Sequence, residues 1–308
     1  MEPLTDLVSQ LKIAKQRTIV FNVKNNSNFI FPSYSGMKVY VVHKGPFFVE
    51  VLGSGTPIAL DKGDLFILSS GKSFNIYDDP CARPIDVTQI RLIEGRTSYF
   101  TNGASDHIFV GCRFVFKSGD PLRMLDNLPE PLIVRASDED NLGMDEFISH
   151  LSREINSSTQ GTELITEHLL RIILMKSFRA VIKKGVFKNE CSWFSALSDK
   201  NIGPVLNEIH MNIGRKWRID ELASLACMSR SNFTSKFRSL TGFSVIEYIN
   251  RWRFSLAIEE ITLNKAKISG VALDLGYESV SAFSNAFKKV MGRSPRNYIA
   301  AIENKNAQ

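Results

Sequence analysis

One stretch of this sequence states its structure twice. Residues 229–244 read Ser-Arg-Ser-Asn-Phe-Thr-Ser-Lys-Phe-Arg-Ser-Leu-Thr-Gly-Phe-Ser, and residues 279–294 read Ser-Val-Ser-Ala-Phe-Ser-Asn-Ala-Phe-Lys-Lys-Val-Met-Gly-Arg-Ser. Shifted by fifty, Ser231, Phe233, Phe237, Gly242, Ser244 and Tyr248 fall on Ser281, Phe283, Phe287, Gly292, Ser294 and Tyr298. A fixed period of this kind means one supersecondary unit used twice.

Each unit has a physical logic. Phe233, Phe237 and Leu240 recur at spacings of four and three, as do Phe283, Phe287 and Val290. Each set therefore shares one helix face. With that face buried, the opposite face carries Ser231, Ser235 and Arg238, with Thr234 at its edge. In the second unit it carries Ser281, Asn285, Lys288 and Lys289. Both faces are short, polar and basic, with no acid on them. Gly242 and Gly292 stand where a helix takes a left-handed cap. Shorter apolar helices are predicted ahead of each, over 219–226 and 268–275. Cys227-Met228 forms the first turn and Gly276 the second. Helix, tight turn and a second helix with a basic polar face is the helix-turn-helix pattern, whose second helix enters the major groove of duplex DNA. A predicted helix over 245–263, about 28 Å long, could hold two such helices about one duplex turn apart, roughly 34 Å. A helical domain repeated for packing alone would explain the phenylalanines but not the doubled polar face.

This stretch resembles the DNA-binding domain of the AraC/XylS family of bacterial transcription regulators. The pattern is carried by Leu222-Ala223, Met228-Ser229, Phe237-Arg238, Gly242-Phe243-Ser244 and Tyr248-Ile249. It continues through Trp252-Arg253, Ala257, Val271-Ala272, Gly276-Tyr277-Glu278-Ser279, Ala282-Phe283, Ala286-Phe287-Lys288-Lys289, Gly292 and Ser294-Pro295. The family commonly places arginine two residues after the first phenylalanine of each recognition helix; here Ser235 and Asn285 stand there, and Val245 replaces a common proline. Arginine reads guanine bidentately whereas asparagine prefers adenine, so base preference does not carry over. The expected DNA contacts are Arg230, Arg238, Lys288 and Lys289 to phosphates, with Ser231, Thr234, Ser235, Ser281, Ser284 and Asn285 facing base edges. The resemblance further implies RNA polymerase as a partner and transcription activation or repression as the output.

Charge agrees with this division. From Lys200 onward sixteen Lys and Arg stand against nine Asp and Glu, while the preceding residues hold 22 against 23. The basic excess thus sits in the repeated region, as a phosphate-binding surface requires. The N-terminus lacks the basic-then-apolar signature of a signal peptide. No apolar run is long enough for a membrane span. Cys81, Cys112, Cys191 and Cys227 show no paired metal or redox spacing, so a reduced cytoplasmic setting is expected.

The other half changes period. Residues 1–16 read as a short amphipathic helix. Segments 18–23, 29–34, 37–42, 46–52, 56–60, 64–68, 73–77, 88–93 and 106–116 are short, rich in Val, Ile and Phe, and punctuated by turn residues, which predicts a sandwich or barrel. Gly53-Ser54-Gly55 is a candidate hairpin turn. This region resembles, more loosely, the small cupin barrel that precedes the DNA-binding domain in one AraC/XylS subgroup. The resemblance rests on Val42-His43-Lys44-Gly45, on the run from Asp61-Lys62-Gly63-Asp64 to Leu68, on Gly111-Cys112-Arg113-Phe114, and on Pro121-Leu122-Arg123-Met124-Leu125 with Leu128-Pro129. Enzymatic cupins hold a metal with several histidines and a carboxylate. Here Phe74 falls where a histidine is usual, and only His43 and His107 remain in the barrel. Two histidines do not make an ordinary site without carboxylate help, so no metal, cofactor or catalytic residue is expected.

Residues 117–140 read as a connector with Pro121, Pro129 and Pro131. Helices are predicted over 144–155 and 162–183. The second is apolar around most of its circumference and must be covered on more than one side, by the rest of its own subunit or by a partner; the family resemblance favours a homodimer. The fold class is thus α+β multidomain: a cupin-like sensor domain over 1–135, a helical connector over 136–190, and an all-α double helix-turn-helix domain over 191–308. The functional expectation is a DNA-binding regulator whose barrel senses a small molecule or a chemical signal. Cys81 and Cys112, with Arg83 and Arg113 beside them in sequence, make a redox signal the second hypothesis. A metal-dependent cupin enzyme, or a repair protein carrying a DNA-binding domain, is the third.

Overall fold

The structure, a computed structural model, describes the chain apart from residues 1, 12, 54–55, 91–97, 101–104, 117–127, 129, 139–142, 158, 186–191, 263 and 307–308, and apart from the side chains of 13–17, 98, 100, 116, 145, 156 and 303–306. The elements follow in chain order: α1 Pro3–Gln10, β1 Ile13–Val23, β2 Asn28–Phe31, β3 Met37–Lys44, β4 Phe47–Val51, β5 Ile58–Leu60, β6 Leu65–Leu68, β7 Phe74–Tyr77, β8 Pro84–Asp86, β9 Ser98–Phe100, β10 His107–Phe116 and β11 Leu132–Val134. Then come α2 Met144–Ser157, α3 Thr162–Lys184, α4 Trp193–Ser198, α5 Ile202–Met211, α6 Ile219–Leu225, α7 Arg230–Thr241, α8 Val245–Thr262, α9 Ile268–Asp274, α10 Val280–Met291 and α11 Pro295–Asn306. The chain divides into two units. Lys12–Lys117 with Leu128–Lys184 forms one, and Met1–Leu11 with Gly185–Gln308 belongs to the other.

The first unit is two sheets. One runs β11-β6-β3-β10-β1-β9 and the other β5-β4-β7-β2-β8. Phe21, Tyr40, Phe66 and Phe109 from the first meet Phe29, Phe31, Phe47 and Phe74 from the second in one core. Its rings stack at centroid distances of 4.5 Å for Phe31–Phe74 and Phe21–Phe109, and 5.0 Å for Tyr40–Phe66. The intervening residues Val20, Val39, Val41, Val110 and Cys112 are buried too, because α2 packs on β1 and β3, and α3 on β11. A sheet covered on both faces reads as a continuous apolar run rather than an alternating one.

Three local expectations are corrected. The segment predicted as a strand over 88–93 begins instead with a 3₁₀ turn at Val87–Gln89, capped by the Asp86 carboxylate accepting from the Thr88 amide, and a strand lies earlier, at β8; residues 91–93 lie outside the described residues. The supposed connector contributes β11, paired antiparallel with β6 through Leu132↔Ile67 and Val134↔Leu65. Buried Asp64 fastens it, accepting from Arg135 Nη1 at 2.7 Å and the Ala136 amide at 2.8 Å. The helix read over 1–16 stops at Gln10, and Ile13 begins β1. The candidate turn at Ser54-Gly55 lies outside the described residues.

The second unit has two cores joined by α8. Phe194, Leu206, Leu222, Phe233, Phe237 and Tyr248 are fully buried in the unit, and the Phe237 and Tyr248 rings lie 5.5 Å apart. Phe254, Val271, Ala272, Phe283 and Phe287 form the other core. Helix α1 belongs to this unit and buries Leu4, Leu7, Val8 and Leu11. A buried chain of hydrogen bonds holds it. Trp193 Nε1 donates to Tyr248 Oη at 2.9 Å, the Tyr248 hydroxyl to His210 Nε2 at 2.8 Å, and His210 Nδ1 to Asp6 Oδ2 at 2.6 Å. Burial lowers the His210 pKa, opposed by Asp6, which fits a neutral ring that donates at one nitrogen and accepts at the other.

Candidate nucleic-acid interface and barrel cavity

The two helix-turn-helix units are built alike, residue by residue. In each, a serine caps the second helix: the Ser229 hydroxyl accepts from the Asn232 amide and that of Ser279 from the Ala282 amide. Each such helix ends on a glycine with φ of 77°, Gly242 or Gly292, whose amide bonds the carbonyl of Arg238 or Lys288 at 2.9 Å. In each turn a residue with positive φ, Cys227 at 54° or Gly276 at 84°, lets the chain double back. The next amide then reaches the first helix, Met228 to the Ala223 carbonyl and Tyr277 to that of Ala272. The second turn holds one residue more than the first, Glu278, which is exposed and paired with Lys216.

Burial repeats with the backbone. Phe233 and Phe237 of α7, like Phe283 and Phe287 of α10, are buried, and Thr234 and Ser284 are half-buried at the edge. Arg230, Ser231, Ser235 and Arg238 are exposed on α7, and Ser281, Asn285, Lys288 and Lys289 on α10. The structure therefore gathers the ten expected side chains onto two solvent-facing helix faces, four exposed and one half-buried on each. Two are already engaged: Arg230 Nη1 lies 3.3 Å from Asp220 Oδ1, and the Thr234 hydroxyl donates to the Arg230 and Ser231 carbonyls at 3.0 Å. Ser231, Thr234, Ser235 and Arg238 also line an open concavity of about 640 Å³, whose other wall is Ser244, Val245 and Ile246 at the start of α8. Sequence reasoning missed that second wall. The serine at Ser244, repeated at Ser294, was its only signal.

The barrel holds a cavity of about 240 Å³. Its walls are largely apolar, with Ile19, Phe21, Phe31, Tyr40, Val87 and Ile90 among them. Lys38, Arg113 and Tyr34 interrupt that wall. Lys38 is 8% exposed, and its ammonium sits 4.2, 4.8 and 5.0 Å from the ring centres of Tyr34, Phe74 and Phe31. Burial, with Arg113 adding to it, lowers its pKa to about 8. None of these three residues was singled out as a binding group from the sequence.

The redox reading fares poorly on geometry. Cys112 is buried, on the face of β10 away from the aromatic core. Burial pushes its thiol up to about 12, only partly offset by a 3.4 Å hydrogen bond from the Thr18 hydroxyl. The neighbouring Arg113 side chain is directed instead to Ser35, donating to its carbonyl at 2.9 Å and its hydroxyl at 2.8 Å. Cys81 and Cys227 are exposed, and Cys191 lies outside the described residues. His107 is buried, its Nε2 donating to Asn25 Oδ1 at 2.5 Å and lying 3.7 Å from Asp78. Among the described residues no three His, Cys, Asp or Glu side chains cluster as a metal site would require.

A family model described as a cupin matches residues 2–183, and one described as a helix-turn-helix domain matches residues 222–301. The chain belongs to the AraC-like transcription regulators with an N-terminal cupin domain. As an AraC-like regulator it is similar along its whole length to two curated proteins, both named putative AraC-like transcription regulators. That of Streptomyces lividans is 29% identical over 97% of this chain and 98% of its own, and that of Streptomyces antibioticus 27% over the same shares. Among solved structures, ToxT from Vibrio cholerae O395 aligns at 19% identity over 93% of this chain and 98% of its own, with a TM-score of 0.35. The AraC-like architecture accounts for both units, a sheet-rich cupin domain followed by a helical DNA-binding domain. Among the described residues no helix is long and apolar enough to cross a membrane.

Proposed function

We propose that this AraC-like regulator reads duplex DNA through α7 and α10 and that its barrel carries the signal. The observation behind the first half is the repeated exposure pattern on the two helices: polar and basic side chains outward, phenylalanines inward. Arg230, Arg238, Lys288 and Lys289 contact phosphates and set register, while Ser231, Thr234, Ser235, Ser281, Ser284 and Asn285 face base edges. These reading side chains are short, so bridging waters and methyl contacts carry much of the discrimination. The chain acts in the cytoplasm, where it engages RNA polymerase at its promoters, and it is not an enzyme.

The active form is a homodimer joined along α3. Its support is an apolar strip left exposed on that helix, with Leu164 60%, Ile165 45% and Ile172 39% accessible. Such a strip on one helix marks a partner surface. Signal reaches DNA when a molecule bound in the barrel favours one of two arrangements of the protein, which requires different affinities for the two.

Selection of bound duplexes from random DNA by the full-length chain, at two salt concentrations, tests the reading. A motif with two contacts about one helical turn apart, roughly 34 Å, is expected. Salt-sensitive binding without a motif would show that α7 and α10 hold phosphates but do not read bases. Sedimentation at micromolar concentration tests the dimer, and a monomer there would remove it.

A further inference from the structure

Two cations lie side by side at the barrel cavity, and no carboxylate pairs with either among the described residues. Lys38 on β3 and Arg113 on β10 are direct partners in the antiparallel register, and Arg17 of β1 occupies the same rung beyond Arg113. Like charges directly opposite one another destabilise a sheet. Among the described residues neither Lys38 nor Arg113 forms an ion pair. Arg113 is spent partly on Ser35. The Lys38 ammonium touches only aromatic faces, so its three N–H donors have no acceptor among the described residues. Ring faces attract a cation but offer no lone pair in the plane a hydrogen bond prefers.

A third group at the same cavity is also incomplete. The Tyr34 hydroxyl is buried and has no hydrogen-bond partner among the described residues. The acid that Tyr34 feels, Glu130, is already taken by the backbone amides and hydroxyls of Ser69 and Ser70. Buried donors without acceptors are costly and uncommon in native proteins. Two of them, the Lys38 ammonium and the Tyr34 hydroxyl, line one otherwise apolar cavity beside the half-buried Arg113 guanidinium, and together they describe the missing acceptor: it carries negative charge at one end and hydrocarbon at the rest.

We propose that the barrel cavity binds a small organic carboxylate, its carboxyl group held by Lys38, Arg113 and Tyr34 and its alkyl or aryl body lying against Phe21, Phe31 and Tyr40. The ammonium and the phenol each donate to one carboxylate oxygen, and the guanidinium adds charge beside them. At about 240 Å³ the cavity is smaller than the roughly 300–1,000 Å³ typical of drug-sized ligands, which suits a body of about six to ten carbons. This assignment rests on the reading of the barrel as the sensing half and names the class of molecule it senses.

Calorimetric titration of the full-length protein with octanoate and 4-phenylbutyrate, and with octan-1-ol and 4-phenylbutan-1-ol as uncharged counterparts, is the test. At least one acid should bind with one molecule per chain, about tenfold or more tighter than its alcohol, as a charge-assisted hydrogen bond in an apolar site requires. Lys38→Met should lose that preference while melting no lower than wild type without ligand, because it removes an unpaired buried charge. Tyr34→Phe should weaken the acid by about three- to tenfold, the loss of one hydrogen bond to a charged group. Lys38→Arg, which keeps the charge, should retain the preference for acid over alcohol, and serves if Lys38→Met does not fold. Failure of both acids to bind at millimolar concentration would overturn the proposal, as would equal binding of acid and alcohol or unchanged acid affinity in Lys38→Met. Binding that depends on Lys38 but leaves DNA affinity unmoved would uphold the site and remove the sensing reading instead.

Discussion

The two helix-turn-helix units share a backbone plan but not a chemistry. Capping serines, left-handed glycine ends and buried phenylalanine pairs coincide. The differences are in charge and in what supports each turn. On α7 the exposed Arg230 is drawn to Asp220, and Ser235 stands at the centre of the face. On α10, Lys288 and Lys289 have no acidic partner among the described residues, and Asn285 takes the central place. Behind α7 lies the Trp193–Tyr248–His210–Asp6 chain. Behind α10 lies Arg253, whose guanidinium donates to the Ile213 and Arg215 carbonyls and rests over Tyr277. Packing of a helix-turn-helix is satisfied by apolar spacing and caps alone. The exposed face is then free to diverge, and α10 presents two lysines unpaired among the described residues and an asparagine where α7 presents a paired arginine and a serine.

The largest break in the comparison should come at the turns. A Cβ on Gly276 would sit 1.9 Å from the Gly214 carbonyl oxygen, at a φ of +84°. Gly276→Ala should therefore destabilise the helical unit by about 2–4 kcal/mol, adding backbone strain to a clash. Cys227→Gly, at the matching place, should change stability by less than about 1 kcal/mol, since relieved strain offsets a freer unfolded chain. Urea unfolding of both variants measures the contrast, and equal losses would show the turns to be equivalent.

Next is the support behind α7. The His210 pKa is lowered by burial. Its contribution is thus present above the unfolded value near 6.5 and is lost as the pH falls towards the lowered folded value. Stability should drop across that window. His210→Gln should cost about 1–3 kcal/mol at neutral pH, from broken buried hydrogen bonds, and should flatten the acid-side slope. An unchanged slope in the variant would locate the titration elsewhere.

The reading faces come third. Asn285→Ala should relax base preference at one position by roughly 1–3 kcal/mol, the range for one base-edge contact, and Ser235→Ala by less. Specificity profiles unaltered at every position would show that Asn285 does not read. Lys288→Ala should weaken all sequences alike and reduce the salt slope by about 0.9 for one phosphate lost. The smallest effect should be that of Asp220→Asn, which frees Arg230 and should steepen the salt slope slightly. A slope that fell instead would mean that the pair itself helps place α7 on DNA.

Legibility followed the same line between packing and surroundings. The helices of the repeated unit could be read because i, i+4 phenylalanines, serine caps and glycine ends are local signals. The strand β11 could not, because Leu132–Val134 is held by β6 and by Asp64, far away in sequence. Helix α1 was legible as a helix, but its place in the helical unit was not, since that depends on Asp6 meeting His210. Lys38 escaped for another reason. Both faces of β3 are buried, so alternation gave no sign of which face was the cavity. The exposed faces of α7 and α10 could be named from the wheel. What each side chain touches on DNA follows from chemistry that a wheel does not contain.

The Asp6–His210 bond spans 204 residues, and translation imposes an order on it. A ribosome adding about 5–20 residues per second needs roughly 10–40 s to pass from one partner to the other. Through that interval Leu4, Leu7 and Val8 have emerged without the surface that will bury them. The barrel, whose strands are all made in the meantime, can complete its fold first. The helix at the head of the chain is thus among the last pieces to settle, and nascent chains stalled before α5 should leave it open to proteases.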